Sequence, residues 1–216
     1  MKLTLVSVSS LLVCVASALS IAGPRGRCIG PPVNNATLDI VKEYKGFLPL
    51  PNAREREPQL TLFGRSEKDK AKRVKVGYGH RCHNETCAEI GFPFPLTHET
   101  ATVVLRKDIV TAQNCVTVYL DGKRKLNMNQ YGALVSWAND IGCAAARRSL
   151  LLRSLYNGRD ANRTIVRELP KWTKEHGYQI PERYASRKRE VMLALTPTNE
   201  TALPIVCNGT LVWHGV

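Results

Sequence analysis

From residue 96 to residue 195 apolar side chains recur at helical spacing almost without a break, while the stretch ahead of them is short, proline-marked and dense in charge. That asymmetry limits the chain to a mainly α architecture of the α+β class, with a small β or loop lobe preceding a helical lobe and a cleft where the two meet. Within the helical part, Thr97 with Thr100 opens a long helix running to about Tyr119. Asn129 to Ile141 forms a very apolar one. Ala145 to Tyr156 makes a third, Ala161 to Leu169 a fourth, and Pro181 to Leu195 the last. Ahead of them, Thr37 to Phe47 predicts a short amphipathic helix that Thr37 can cap and Gly46 ends. Residues 48 to 73, with prolines at 49, 51 and 58, read as an exposed loop with at most a frayed strand over 59 to 63. Val74 to His80 reads as a strand entering a tight backbone at Gly77 and Gly79. The tail after Thr196 looks irregular.

The N-terminus carries a different signal. Lys2, an apolar run over residues 3 to 19, and small residues at Ala16, Ala18, Ser20 and Ala22 form a secretory signal peptide over residues 1 to 18, cleaved somewhere in 18 to 22. What remains is read as one domain over 28 to 207, with 48 to 73 an inserted or expanded loop and 208 to 216 a tail. Six cysteines survive cleavage: Cys28, Cys82, Cys87, Cys115, Cys143 and Cys207. An even number in an exported chain reads as three disulfides, with fifteen connectivities open. Glycosylation sequons stand at Asn35, Asn84, Asn162, Asn199 and Asn208. No ligand spacing among the histidines and cysteines suggests a metal, and no cofactor is implied. Without Lys2 the chain has 30 Lys and Arg against 18 Asp and Glu, a net charge of +12. Such a charge favours anionic surfaces. Few aromatic residues and no nucleic-acid motif accompany it, so cell-surface polyanions fit better than nucleic acid. No segment after the leader is apolar enough to span a membrane, and the expected product is a monomer.

Longer motifs carry a family resemblance. Gly77-Tyr78-Gly79-His80 followed by Cys82 and Cys87, the run Leu126 to Trp137, Glu168-Leu169-Pro170-Lys171-Trp172, Arg187 with Glu190, and Ala202-Leu203-Pro204 with Cys207 stand in one order. Together they resemble glycoside hydrolase family 24, the phage-type lysozymes, and the last motif resembles its secreted fungal members. The resemblance implies a lysozyme-like fold and cleavage of the β-1,4 bond between N-acetylmuramic acid and N-acetylglucosamine. It also implies a pattern Glu-x8-Asp-x5-Thr, in which the Glu protonates the leaving oxygen while Asp and Thr activate water on the opposite face. Inverting pairs of this kind need carboxyls about 6.5–9.5 Å apart.

Here the pattern is broken. Lys45 stands at the Glu position before Gly46, and Lys75 stands at the Thr position two before Gly77. Asp69 keeps the Asp spacing, without the glycine that normally turns that hairpin. Lys45 and Lys75 are 30 positions apart, about twice the spacing the family pattern requires. An ammonium with a reference pKa of about 10.4 is a poor acid at neutral pH, and it opposes the positive charge of an oxocarbenium-like transition state. Losing acid catalysis alone costs about 10²–10⁴-fold in rate. Glu55, Glu57 and Glu67 in the inserted loop are the alternative acids. Asn139-Asp140 and Glu182-Arg183 also replace the family's usual residues.

The other motif residues have structural readings. By resemblance, His80 pairs with Asp108 as an internal ion pair. Trp137 and Trp172 fit the core, and Arg147-Arg148 with Arg187-Lys188-Arg189 read as a solvated face. Pairing Cys28 with Cys207, Cys82 with Cys87 and Cys115 with Cys143 would staple the ends, a local loop and two helices. Three functions stay open: a pseudoenzyme that binds peptidoglycan or chitin-like glycan or a host or competitor target, an active muramidase, and a cationic antimicrobial acting by charge.

Overall fold

The computed structural model of the chain describes residues 27–53, 74–175, 177–205 and 210–211. Helix α1 (Asn35–Lys45) begins one turn earlier than Thr37 suggests. Asn34 is the cap: its side chain accepts hydrogen bonds from the Thr37 amide at 3.0 Å and the Thr37 hydroxyl at 2.8 Å. Thr37 itself is buried inside the helix. Asn and Thr both cap well, and the one whose neighbours leave it half-exposed takes the role.

The small lobe is a three-stranded antiparallel sheet of order β2-β3-β4. Its strands are β2 (Leu48–Ala53), β3 (Val74–Gly77) and β4 (His80–Arg81), preceded in the chain by the two-residue β1 (Arg27–Cys28). The loop expected from residue 48 is therefore a strand as far as Ala53. Prolines 49 and 51 are tolerated because β2 is an edge strand, where a missing N–H costs no ladder bond. The chain also covers that edge, since the Leu96 amide donates to the Pro49 carbonyl at 2.8 Å. The strand expected over 59 to 63 lies outside the described residues.

The helical lobe contains α2 (His98–Asp108), α3 (Val110–Leu120), α4 (Met128–Ile141), α5 (Cys143–Arg148), α6 (Leu150–Tyr156), α7 (Ala161–Glu168) and α8 (Pro181–Leu195). The helix expected from Thr97 to Tyr119 is two helices meeting at the buried Ile109, with the Thr97–Thr100 capping box at its start. The helix expected over 145 to 156 is likewise divided. Ser149 leaves helical geometry and its hydroxyl caps the Leu152 amide at 3.0 Å. Short strands β5 (Leu126–Asn127), β6 (Lys174–Glu175) and β7 (Tyr178–Gln179) sit between helices.

Helix α4 is central and packs on α1, α3 and α8. Its start is fixed by a reciprocal cap, with Asn127 accepting from the Gln130 amide at 2.8 Å and Gln130 from the Asn127 amide at 3.1 Å. Tyr131, Leu134, Val135 and Trp137 on α4 are fully buried. Trp172 meets Trp137 edge-on, with centroids 5.4 Å apart, so both indoles belong to the core. A disulfide joins Cys115 on α3 to Cys143 at the start of α5.

The tail is more ordered than its composition suggests. Strand β8 (Thr201–Leu203) pairs antiparallel with β5, and the Met128 amide donates to the Glu200 carbonyl at 2.8 Å. Strand β9 (Thr210–Leu211) pairs in parallel with β1. The segment after β1 is held by buried amides of α3: the Gly30 amide donates to Asn114 at 2.7 Å and the Val33 amide to Gln113 at 3.2 Å. Among the described residues no helix is long and apolar enough to cross a membrane.

Gly132 is where α1 and α4 touch most closely. A Cβ there would land on the buried Thr37 hydroxyl, which is itself committed to Asn34. Gly132→Ala is expected to lower stability by about 1–3 kcal/mol through overpacking, although alanine is the better helix former. Urea denaturation of the two proteins measures the difference, and an unchanged or higher midpoint would contradict the close approach.

Candidate functional site

Between the sheet and the helices lies a cavity of about 710 Å³. Its walls come from the end of α1 (Lys45), the β3–β4 hairpin (Tyr78 to Arg81, with His83 beyond it), the α2–α3 junction (Leu105, Lys107, Asp108, Thr111) and the end of α4 (Asn139 to Gly142). The hairpin needs its glycines. Gly77 has φ 61° and Gly79 φ 89°, values L side chains rarely adopt. Gly79 is also closely approached, because a Cβ there would meet the Lys45 side chain at 3.3 Å. The hairpin is tied to α2 by the Tyr78 hydroxyl on His98 Nδ1 at 2.8 Å and by Phe47 stacked on His98 at 4.1 Å. Cys82 and Cys87 form a local disulfide just beyond β4.

Lys45 is half-buried in this wall, its ammonium 4.9 Å from the Tyr44 ring centre. Burial depresses its pKa. The charges of Lys75, Arg81 and Arg183 act in the same direction, and Asp140 opposes them. Lys75 lies in β3, paired in register with Arg81 of β4. The two lysines thus sit in one electrostatic neighbourhood. Asp69, Glu55, Glu57 and Glu67 lie outside the described residues, as do Cys207 and Asn208. Asn35, Asn84, Asn162 and Asn199 are all exposed. Among the described residues no group of three His, Cys, Asp or Glu side chains is placed to hold a metal ion.

His80 and Asp108 meet across the cavity floor, with His80 Nδ1 2.9 Å from Asp108 Oδ1 and 3.0 Å from Oδ2. Nε2 of the same ring stands 3.3 Å from Glu89 Oε1. The Asp108 hydrogen bond raises the His80 pKa above its ordinary value against the opposing effect of burial, and the charges of Asp108 and Glu89 add to the rise.

A second cluster, unforeseen from the sequence, forms the wall at the end of α4. Asp140 accepts from the Tyr44 hydroxyl at 2.9 Å, with Arg183 Nε at 3.1 Å and Arg187 Nη2 at 3.2 Å. Arg187 continues inward to Glu190, which also accepts from the Ser136 hydroxyl at 2.7 Å. Arg187 is 1% exposed and Glu190 fully buried. The solvated basic face expected over 187 to 189 is thus corrected at Arg187, whose position on α8 points into the core, while Lys188 and Arg189 remain exposed. Burial pushes Glu190 up to about 7 against the pull of Arg187 and Ser136. Burial, followed by the charge of Asp140, pushes Tyr44 up to about 12. One signal did point here: Asn139-Asp140 and Glu182-Arg183 are both departures from the family pattern, and Asp140 and Arg183 are ion-paired to each other.

A helical lobe, a three-stranded sheet and a cleft between them define a lysozyme-like fold. The chain belongs to the phage lysozyme family, whose model matches residues 63–190. It is 26% identical over 174 residues to an endolysin of Bacillus phage PZA, covering 77% of this chain but only 57% of that protein's length. It is 33% identical over 132 residues to an endolysin of Acyrthosiphon pisum secondary endosymbiont phage 1, covering 58% of this chain and 81% of the phage protein. Among solved structures, the muramidase domain of SpmX from Asticaccaulis excentricus superposes with a TM-score of 0.55 at 25% identity, over 76% of this chain and 98% of that one. The active form of P1 phage endolysin Lyz gives a TM-score of 0.56 at 18% identity, over 76% and 85%, a likeness of fold alone.

The His80 geometry has a consequence in pH. A raised folded pKa gives stabilisation that is complete below the unfolded value of about 6.5 and fades as pH rises through the folded value. Asp108→Asn is expected to cost about 1 kcal/mol at pH 5, a modest figure because the Asp108 side chain is 34% exposed and screened by solvent. At pH 9 the cost should be near zero. Thermal melts of both proteins at the two pH values decide it, and equal losses at both would exclude the charged pair.

Proposed function

We propose that this chain is a secreted, catalytically silent member of the family whose cleft binds cell-wall glycan without hydrolysing it. The observation that carries the reading is the lining of the cleft. Lys45 projects where the motif resemblance expects a carboxylic acid. The two carboxylates that line the described wall are both engaged: Asp108 on His80, and Asp140 on Tyr44, Arg183 and Arg187. A general acid must carry a proton and deliver it to the glycosidic oxygen. Asp140 is held by two guanidiniums and a phenol and Asp108 by His80, so neither carboxyl is free to approach a glycosidic oxygen. Export is supported by the N-terminal leader, by two disulfides and by the exposure of the four described sequon asparagines.

Purified bacterial peptidoglycan tests the silence. The mature wild-type chain is expected to release no muropeptides above a buffer control, while sedimenting with the same walls. Lys45→Glu combined with Lys75→Thr is expected to restore at most weak release, since Asp69 lacks the turn glycine of the family pattern. Robust hydrolysis by the unmodified chain, lost on mutating Glu55, Glu57 or Glu67, would reject the reading and place the acid in the 48–73 segment. Wall retention that survived heat denaturation would also reject it, in favour of binding by charge alone.

A further inference from the structure

Lys45 is placed unlike the other lysines of the chain whose surroundings are described above. Its stem lies against the Gly79 backbone, where a Cβ would meet it at 3.3 Å. The side chain is half-buried and forms part of the wall of the cavity of about 710 Å³. Among the described residues its ammonium makes no hydrogen bond or salt bridge, and its contact is with the Tyr44 ring. Exposed lysines such as Lys107 and Lys188 are in the situation where the reference pKa of about 10.4 applies, and at neutral pH they are ammonium ions.

The charges that act on Lys45 come from four elements. Burial is the largest influence, and it disfavours the ammonium. Lys75 on β3, Arg81 on β4 and Arg183 on α8 act in the same direction. Asp140 on α4 favours the ammonium, but it is itself engaged by Tyr44, Arg183 and Arg187. The Tyr44 ring also favours a cation. The balance lowers the pKa, so more of this side chain is the neutral amine, the form with a nucleophilic lone pair. The same three cations favour an anion formed on that nitrogen. Dissolved carbon dioxide is the reagent that uses both properties, because it needs a neutral amine and leaves a carboxylate.

We propose that Lys45 is a site of reversible modification by dissolved carbon dioxide, which converts its amine into a carbamate. The amine lone pair attacks the carbon of carbon dioxide and a C–N bond forms. One C=O electron pair moves onto oxygen, and the nitrogen releases one proton to water. The product is a carboxylate carried on the lysine nitrogen, and nothing is oxidised or reduced. The reverse step takes up a proton and expels carbon dioxide. Three added atoms are small against the volume of the cavity. A positive group in the cleft wall is thereby exchanged for a negative one, and the charge at position 45 follows the carbon dioxide content of the medium. The inference concerns the amine alone and is independent of whether the cleft binds glycan.

The test equilibrates the intact mature chain with isotopically labelled bicarbonate at mildly alkaline pH. Triethyloxonium then traps any carbamate as its ethyl ester, and peptide mass spectrometry locates the label. Lys45 is expected to carry about fivefold or more label than the exposed Lys107 and Lys188. Arg81→Gln, at an exposed position, is expected to lower the occupancy of Lys45 about threefold, since it removes a charge that favours both the free amine and the product. Labelling of Lys188 should be unchanged in that variant. Equal labelling of Lys45, Lys107 and Lys188, or none at Lys45, would overturn the proposal. Undiminished labelling of Lys45 in Arg81→Gln would overturn it as well, because the cationic surroundings would then have no part in it. The first comparison is made within the wild-type chain and does not depend on any variant folding.

Discussion

Arg187 lies in the interior between two carboxylates, Asp140 on α4 and Glu190 one turn along its own helix. Removing these charges from water costs several kcal/mol each, a cost that their mutual attraction and the groups around them offset. Ser136 completes Glu190 from α4, Tyr44 reaches Asp140 from α1, and Arg183 closes the outer side. Three helices are therefore tied together by one buried cluster. The same cluster ends in the cleft, since Asp140 is part of its wall. Tyr44 is the residue before Lys45. The position of the ammonium that defines the site is thus inherited from the charge arrangement of the core.

This coupling gives a well-formed cleft that does not depend on an acid at position 45. The glycine hairpin, the His80–Asp108 pair and the aromatic contacts of Phe47, Tyr78 and His98 hold the two lobes together independently of any acid at position 45. A lysozyme-like cleft is a shape made by packing, and the reaction is an addition to that shape by a few side chains. Exchange of such side chains can leave the walls of a cavity intact.

Much of this is legible in the sequence. Helices α4 and α8 announce themselves because cap, period and length agree, and the Gly77 to His80 motif marks the hairpin and its histidine. Edge strand β2 was hidden by prolines 49 and 51, which argue against a strand unless its exposed edge is known. The cap of α1 was ambiguous because Asn34, Asn35 and Thr37 are all competent, and only the burial of Thr37 decides among them. Arg187 was misread because Arg187-Lys188-Arg189 looks uniform in one dimension. At about 100° per residue the three point in different directions, and Arg187 shares the inward side with Glu190 and Ala194. Lys107 and Arg81 had no motif at all. Their place with Lys45 in the wall of one cavity is a property of the packed lobes, which no local pattern encodes.

The pairing of β1 with β9 and of β5 with β8 brings the last described residues back to the first and to the threshold of the central helix. A ribosome delivers those pieces in the least convenient order. Met128 at the start of α4 is made 72 residues before the Glu200 that receives its amide, and the arm around Gly30 waits longer still for its companion strand. Such long-range closures are slow, because the entropy of the intervening chain is spent before any contact rewards it. That closure is unavailable to the nascent chain until Glu200 has been made. Until then the start of the central helix lacks the strand that clips it.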